Sequence, residues 1–446
     1  MPTNLIQIGQ SGVIAARASI DLTAQNIANA SNPDYVRRSL SQSELVGTAR
    51  INFAESTTLS GVRIGGVLRA DSELLQRQVR DSASDLARAE AELSGLREAE
   101  TALEQSRLFE GLVDFEAALT LLESDPTDPA LRTGAIETAR QLTDTFQFAD
   151  SALGNARSLV QAEVTAGVEV VRGAAVELAR INTELVAARD GTFGQAALLD
   201  ARDAALRDLS EQFGITTSFD EFGAVEVRIK GNPSPLLVQG GSYNTLTASL
   251  TGNGSAAFNF GSLDFEPTSG AMAGRVAALT DIGTRQAELD NIAALTITRA
   301  NTAQTAGAAL DGSAGQPLFS GSSAGDIEMV LLDGAGLAVA PAGSPAGSRD
   351  TSNLGNLIAA FGADDGPITA TDRSLLTLSS RIAGIETTRE GLEIINGSAE
   401  TELLNQTGVD LDAEAANLIR LQQAFEANSR VIQVASNIFD TILGLN

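Results

Sequence analysis

The sequence predicts a mainly α-helical protein with a smaller β part: a terminal helical coiled coil, a bundle of long helices and an inserted antiparallel β meander. Three observations carry this. Apolar residues recur every seven positions at both ends of the chain. The middle is dominated by Ala- and Leu-rich stretches with charges at helical spacing. One segment, residues 215–268, breaks instead into short β-branched and aromatic runs separated by Gly, Pro and Asn.

At the N-terminus Ile6, Val13, Ile20 and Ile27 recur every seven residues, with Gly9, Ala16, Thr23 and Ala30 three positions after each. This is a heptad seam whose second position is small, so a partner helix can approach closely. The C-terminal segment offers the larger complement. Leu404, Leu411, Leu418, Phe425, Ile432 and Phe439 share the period, and Leu421, Ala435 and Ile442 fall on the offset of three. Asn428 interrupts that second row, where a polar residue can set register at some cost in stability. Periodicity alone fits two ordinary amphipathic helices of a bundle as well as an assembly coiled coil.

Pro33 ends the first helix, because it lacks a donor and restrains Asn32. Asn29 and Asn32 can bend the chain through side-chain bonds to backbone, and Pro33-Asp34 turns it, placing Tyr35 and Arg37-Arg38 on an outgoing strand or loop. Residues 71–106 read as a long solvated helix. A second helix covers residues 108–123 and stops at Ser124-Asp-Pro-Thr-Asp-Pro129, where Asp128 is a candidate N-cap with Pro129 in the first helical position. Residues 130–188 are helical again, with interruptions expected near Gly154 and Gly167, and residues 195–212 form a further helix. Strands are expected at 215–219, 225–229, 236–238 and 243–250. Helix returns at 269–310, and residues 311–350 are Gly/Ser-rich with one strand-like piece at 327–332. Helices near Asn353 and over 371–397 lead into the C-terminal helix, which Val409-Asp-Leu-Asp412 opens with acids that favour its positive end.

Composition removes whole classes of chemistry. The 446 residues include no Cys, His or Trp, and carry a formal net charge of −27. Disulfides, tetrahedral zinc sites, Fe–S clusters and His- or Cys-based nucleophilic catalysis are therefore excluded. The negative field disfavours nucleic acid and anionic membranes as partners. No stretch is apolar enough to span a bilayer, and residues 1–30 lack the basic n-region and unbroken apolar core of a cleaved signal peptide.

Gly321-Ser-Ser-Ala-Gly325 fits the nucleophile-elbow pattern by letter. It has no His to serve as base, and Pro317-Leu-Phe-Ser320 before it does not read as a buried strand. Asp364-Asp365-Gly366 lacks the spaced acids of a calcium loop. Neither a P-loop nor a dinucleotide fingerprint is present. No catalytic, metal-binding or cofactor-binding residue is assigned. A pair of carboxylates facing each other across a cleft is the one catalytic arrangement that spacing leaves open.

Several motifs carry a resemblance. Ala28-Asn-Ala-Ser-Asn-Pro-Asp-Tyr35 resembles the N-terminal signature of flagellar rod, hook and hook-associated proteins. The segment from Val409 to Gln433 resembles their C-terminal helix, and Phe439-Asp-Thr-Ile-Leu443 is similar to the ending of the hook-associated members. Leu198-Leu-Asp-Ala-Arg-Asp-Ala-Ala-Leu-Arg-Asp-Leu-Ser210 is similar to the helix preceding their first β-segment, and Pro317-Leu-Phe-Ser-Gly321 to a following loop. The internal helix favours the hook-associated branch over hook or distal rod proteins, which share both termini. Family members usually carry Gly where this chain has Asp34.

The resemblance implies a non-enzymatic structural protein that joins hook to filament as a ring of identical subunits. Implied partners are the hook protein, a second junction protein or flagellin, and a cytoplasmic export chaperone that covers the C-terminal helix. It implies export through the flagellar type III apparatus to the flagellum outside the cell, without a cleaved signal peptide, and no cofactor. Residues 1–47 with 399–446 would form the inner coiled-coil domain, and residues 48–214, 269–310 and 351–398 a helical core. Residues 215–268 would be the β-rich segment and 311–350 a Gly/Ser-rich loop. The expected assembly residues are Ile6, Val13, Ile20, Ile27, Asn29, Pro33 and Tyr35 at one end, and Leu411, Leu418, Leu421, Phe425, Ile432 and Phe439 at the other. Two alternatives stay open: a hook or distal rod protein, and a secreted carboxylate-dependent hydrolase.

Overall fold

The computed structural model describes residues 2–48, 57–252 and 254–443. The chain runs α1 (Pro2–Ala28), β1 (Arg38–Thr48), β2 (Thr57–Arg69), α2 (Glu73–Ser106), α3 (Leu108–Ser124), α4 (Pro129–Ala187) and α5 (Phe193–Gln212). After β3 (Ile215–Phe219), β4 (Val225–Ile229) and a series of further short strands come α6 (Ala271–Thr305), α7 (Ser352–Phe361), α8 (Pro367–Thr407) and α9 (Leu411–Leu443). The protein is thus mainly helical with a smaller antiparallel β part, as the periodicities predict. It divides into two compact units: Met1–Ser84 with Val170–Leu246 and Glu393–Asn446, and Asp85–Glu169 with Thr247–Leu392.

In the first unit α1 packs along α9, and the hairpin β1–β2 lies against α1. The hairpin replaces the strand or loop expected after Tyr35. Its first strand, with Ser41-Gln-Ser-Glu44, lacks the apolar alternation that marks a half-buried strand, and its register shifts at Leu40/Gln42 and at Glu44/Val46. The hairpin is seated by backbone: Val67 N donates to Gly191 O at 2.8 Å, and a Cβ on Gly66 would stand 3.0 Å from Gly191 Cα. A small meander follows, β3 pairing β4 from Ile215↔Ile229 to Phe219↔Val225, then Leu236–Gln239 and Ser242–Tyr243. Its buried Val225, Val227, Ile229, Leu237 and Val238 form one apolar layer. Asn182 of α4 pins the end of the sheet where β4 begins and Leu236–Gln239 finishes, donating to Val225 O and Gly240 O and accepting from Val225 N at 2.7–2.9 Å.

The second unit is organised on aliphatic and phenyl burial. Leu96, Leu112, Phe115, Leu119, Leu122, Leu142, Phe146 and Leu153 are wholly buried. Phe115 meets Phe361 edge-on, ring centroids 5.3 Å apart, and Phe319 at 6.2 Å. Asp128 caps α4 as its position before Pro129 predicts, its carboxylate accepting from Ala130 N at 2.6 Å. The helix runs unbroken through Gly154 and Gly167, because a lone helical glycine costs only about 1 kcal/mol and good helix formers flank both. The Gly/Ser-rich stretch is pinned rather than loose: Arg132, buried, donates to Gly334 O and Leu337 O at 3.0 and 2.8 Å. The strand expected at 327–332 shrinks to Glu328–Met329 pairing Phe319–Ser320, since Ile327 turns into the core while Leu332 is 86% exposed. Among the described residues no helix is long and apolar enough to cross a membrane.

Candidate assembly surface

The line along which α1 meets α9 is small and polar. Gly9, Gly12, Ala16, Ser19, Thr23 and Asn26 follow one another at intervals of three and four, the spacing of a single helix face. A Cβ on Gly9 would lie 2.7 Å from Ile432 Cγ1, and one on Gly12 would overlap the Asn428 side chain. Asn417 Nδ2 donates to Thr23 Oγ1 at 3.1 Å, and Asn26 Nδ2 to Glu414 Oε1 at 3.3 Å. Partners on α9 fall in number as those on α1 rise, so the helices are antiparallel. Asn428 fills the space at Gly12 and donates to Ala424 O of its own helix.

The residues expected from the heptads lie around this line. Ile6, Val13, Ile20 and Ile27 are partly buried beside it, as are Leu418, Leu421, Phe425 and Ile432 on α9, of which Ile432 meets Gly9. Leu411 and Phe439 are exposed, at 53% and 40%. Ile14, Ile419, Val434 and Ile438 are exposed as well, leaving apolar side chains on the outside of the pair. The Ile442 side chain lies outside the described residues.

Asn26, which periodicity does not single out, is the hub of the exit loop. Its amide is 1% exposed and every bonding position is used. The oxygen accepts from Tyr35 OH at 2.8 Å and Arg38 N at 3.1 Å, and the nitrogen donates to Arg38 O at 2.9 Å and to Glu414. One residue thereby ties the end of α1, the first residue of β1 and the start of α9. Arg38 stacks over the Tyr35 ring at 4.7 Å, and burial, opposed by this cation, raises the phenol above its ordinary pKa. Asn29 closes α1 by donating to Gln25 O, and Asn32 Oδ1 accepts from Asp34 N to shape the turn at exposed Pro33. Asp34 needs no left-handed backbone, since Arg107 is the one non-Gly residue at positive φ among those described. Its carboxylate instead pairs with Arg207 of α5 at 2.6 Å.

The internal motif of residues 198–210 turns out to supply an ion cluster. Asp200 accepts from Arg38 and Arg69 at 2.6 and 2.7 Å, and Asp203 from Arg69 and Arg202 at 2.6 and 2.7 Å, with Gln76 at 2.9 Å. All are buried or nearly so, and two acids shared among three guanidiniums hold α5 to both strands of the hairpin. Coulomb attraction from Arg202 and Arg69 outweighs the burial that works against ionisation, leaving Asp203 below the usual carboxylate range. The nucleophile-elbow lookalike resolves as an exposed turn in which Ser322 and Ser323 donate amide and hydroxyl protons to Asp326.

Comparison with known proteins agrees with this architecture. The model of the flagellar hook-associated protein FlgK helical domain matches residues 96–319, half of the chain. The chain belongs to the FlgK family of flagellar hook-associated proteins. The C-terminal model of the flagellar basal body rod FlgEFG proteins matches residues 401–445, which contain α9. Flagellar hook-associated protein 1 of Escherichia coli K12 is 24% identical over 250 residues, 55% of this chain and 45% of that protein. The Salmonella typhimurium LT2 protein of the same name is 24% identical over 253 residues, 55% and 44% of the two chains. The chain thus matches just under half the length of these relatives. The flagellar hook junction protein FlgK from Burkholderia pseudomallei shares the fold, with a TM-score of 0.64 at 10% identity over 73% of this chain and 99% of that one.

Proposed function

We propose that the chain is a non-enzymatic subunit of the bacterial flagellum that joins hook to filament, assembling outside the cell as a ring of identical copies. The observation that carries this reading is the antiparallel pair α1–α9 in a FlgK-family chain, whose inner line is closed by glycines and amides while Leu411, Phe439, Ile419 and Val434 remain exposed outside it. Each large apolar side chain left in water forgoes roughly 1.5–3 kcal/mol of burial, so these exposed side chains around α9 favour docking on neighbouring subunits. Those neighbours are further copies, the hook protein, and a second junction protein or flagellin. Before export the same apolar side chains of α9 are what a cytoplasmic chaperone would cover, and Ile6, Val13, Ile20 and Ile27 lie beside the contact line on α1.

Electron microscopy of a strain lacking this protein should show hooks without filaments. Complementation with Phe439→Asp should leave a folded, exported protein and restore few or no filaments. Full motility with that variant would remove exposed Phe439 from the assembly surface, and filaments in the deletion strain would overturn the junction role itself.

A further inference from the structure

Beside the exit loop, within the first unit, lies a cavity of about 140 Å³ between residues 30–36, α2, α5 and the end of α8. Exposed Asn32, Pro33 and Leu404 stand at its rim, and its wall carries three arginines, Arg69, Arg80 and Arg207. Two of these have matched acids. Arg69 is held by Asp200 and Asp203, and Arg207 by Asp34. Arg80 has none. It is 5% exposed, and its one hydrogen bond among the described residues is a 3.4 Å contact to Thr217 Oγ1. The nearby acids are already committed, Asp203 to Arg69, Arg202 and Gln76, and Asp81 to Lys230 at 2.6 Å. Burial pushes the Arg80 guanidinium below its ordinary pKa.

A buried cation without a partner is costly, and a guanidinium offers a planar fork of donors that fits a carboxylate. A water occupies roughly 30 Å³ of liquid, so the cavity has room for one carboxylate-bearing side chain. With 57 acidic residues against 30 basic ones, every copy of this chain is rich in suitable groups. We propose that this cavity is a carboxylate-binding site in which Arg80 receives the anion, supplied by an acidic side chain of a second copy or by a small free acid. The second-copy source rests on the junction role proposed above, whereas carboxylate binding itself does not.

The test is Arg80→Met in the full chain, which keeps the aliphatic stem and removes the charge. Thermal unfolding of dilute protein is followed while sodium acetate replaces sodium chloride at constant ionic strength, and self-association is followed by sedimentation. Acetate should raise the wild-type Tm and leave Arg80→Met unmoved, with the variant starting at or above the wild-type Tm. Self-association of the variant should weaken at least about tenfold if a second copy is the source. An Arg80-dependent acetate response with unchanged self-association assigns the free acid, and weakened self-association without an acetate response assigns the second copy. A variant that is destabilised or fails to fold puts Arg80 in the frame of the fold and overturns the proposal. So does a variant that matches the wild type in both measurements.

Discussion

Phe115 in the second unit sits among phenyl rings and leucines that are wholly buried, whereas Asn26 in the first unit is buried among a phenol, a carboxylate and backbone polar groups, with a guanidinium–carboxylate cluster close by. The first environment is nondirectional: many apolar side chains exclude water, and any one can be replaced by another of similar volume at modest cost. The second is directional. Each buried donor needs its own acceptor, so the arrangement of α1, β1 and α9 is specified bond by bond, and an error leaves an orphaned polar group. The same chain uses bulk burial to make a stable body and hydrogen bonding to fix where its terminal segments point.

Phe115→Ala tests the apolar side of this contrast and has the largest expected effect. Removing a wholly buried ring should cost about 3–5 kcal/mol, read as lower unfolding free energy in denaturant, with amide-exchange protection falling in α3 and α7. Asn26→Ala tests the other side. Stranding the Tyr35 hydroxyl and the Arg38 amide and carbonyl should cost about 3 kcal/mol, with protection lost in α1, β1 and α9 while amides around Phe115 keep theirs. Equal loss in both units would dissolve the distinction. Asp326 offers the smallest and most local effect. Its carboxyl, accepting from Ser322 and Ser323, is held at about 2 against an ordinary 3.8. A depressed folded-state pKa contributes stability above the unfolded value, and this contribution fades as pH falls toward 2. Carboxyl chemical shifts should titrate near 2 at this residue, and Asp326→Asn should remove that part of the acid dependence.

The helices were legible because each carries its own period, and Asp128-Pro129 and Pro33 mark boundaries by local chemistry alone. The heptads at the two ends pointed to a helix pair and to its small second row, of which Gly9, Ala16 and Thr23 do lie on the contact line. What the sequence did not disclose is long-range polar pairing. Asn26 meets a glutamate 388 positions away, and Asp200 meets Arg69 131 positions away, distances over which no periodicity operates. Asn26 completes the row begun by Gly9, and a polar residue at the end of a small-residue seam is the signal that could have found it. The β1–β2 hairpin was hidden for a related reason: Ser, Gln and Glu along its first strand carry no binary pattern, and the pairing is imposed by α1, Gly191 and the arginine–aspartate cluster.

Gly9 and Gly12 make the pairing of α1 and α9 a lock on sliding. If one helix moved along the other by a single turn, about 5.4 Å, Val13 or Leu5 would arrive opposite Ile432, and Ala16 or Ile8 opposite Asn428. Neither place has room for a Cβ. The pair therefore has one axial position rather than a graded series, and it is set by side chains that are missing. A subunit under pull along this axis would hold its register until the helices part altogether.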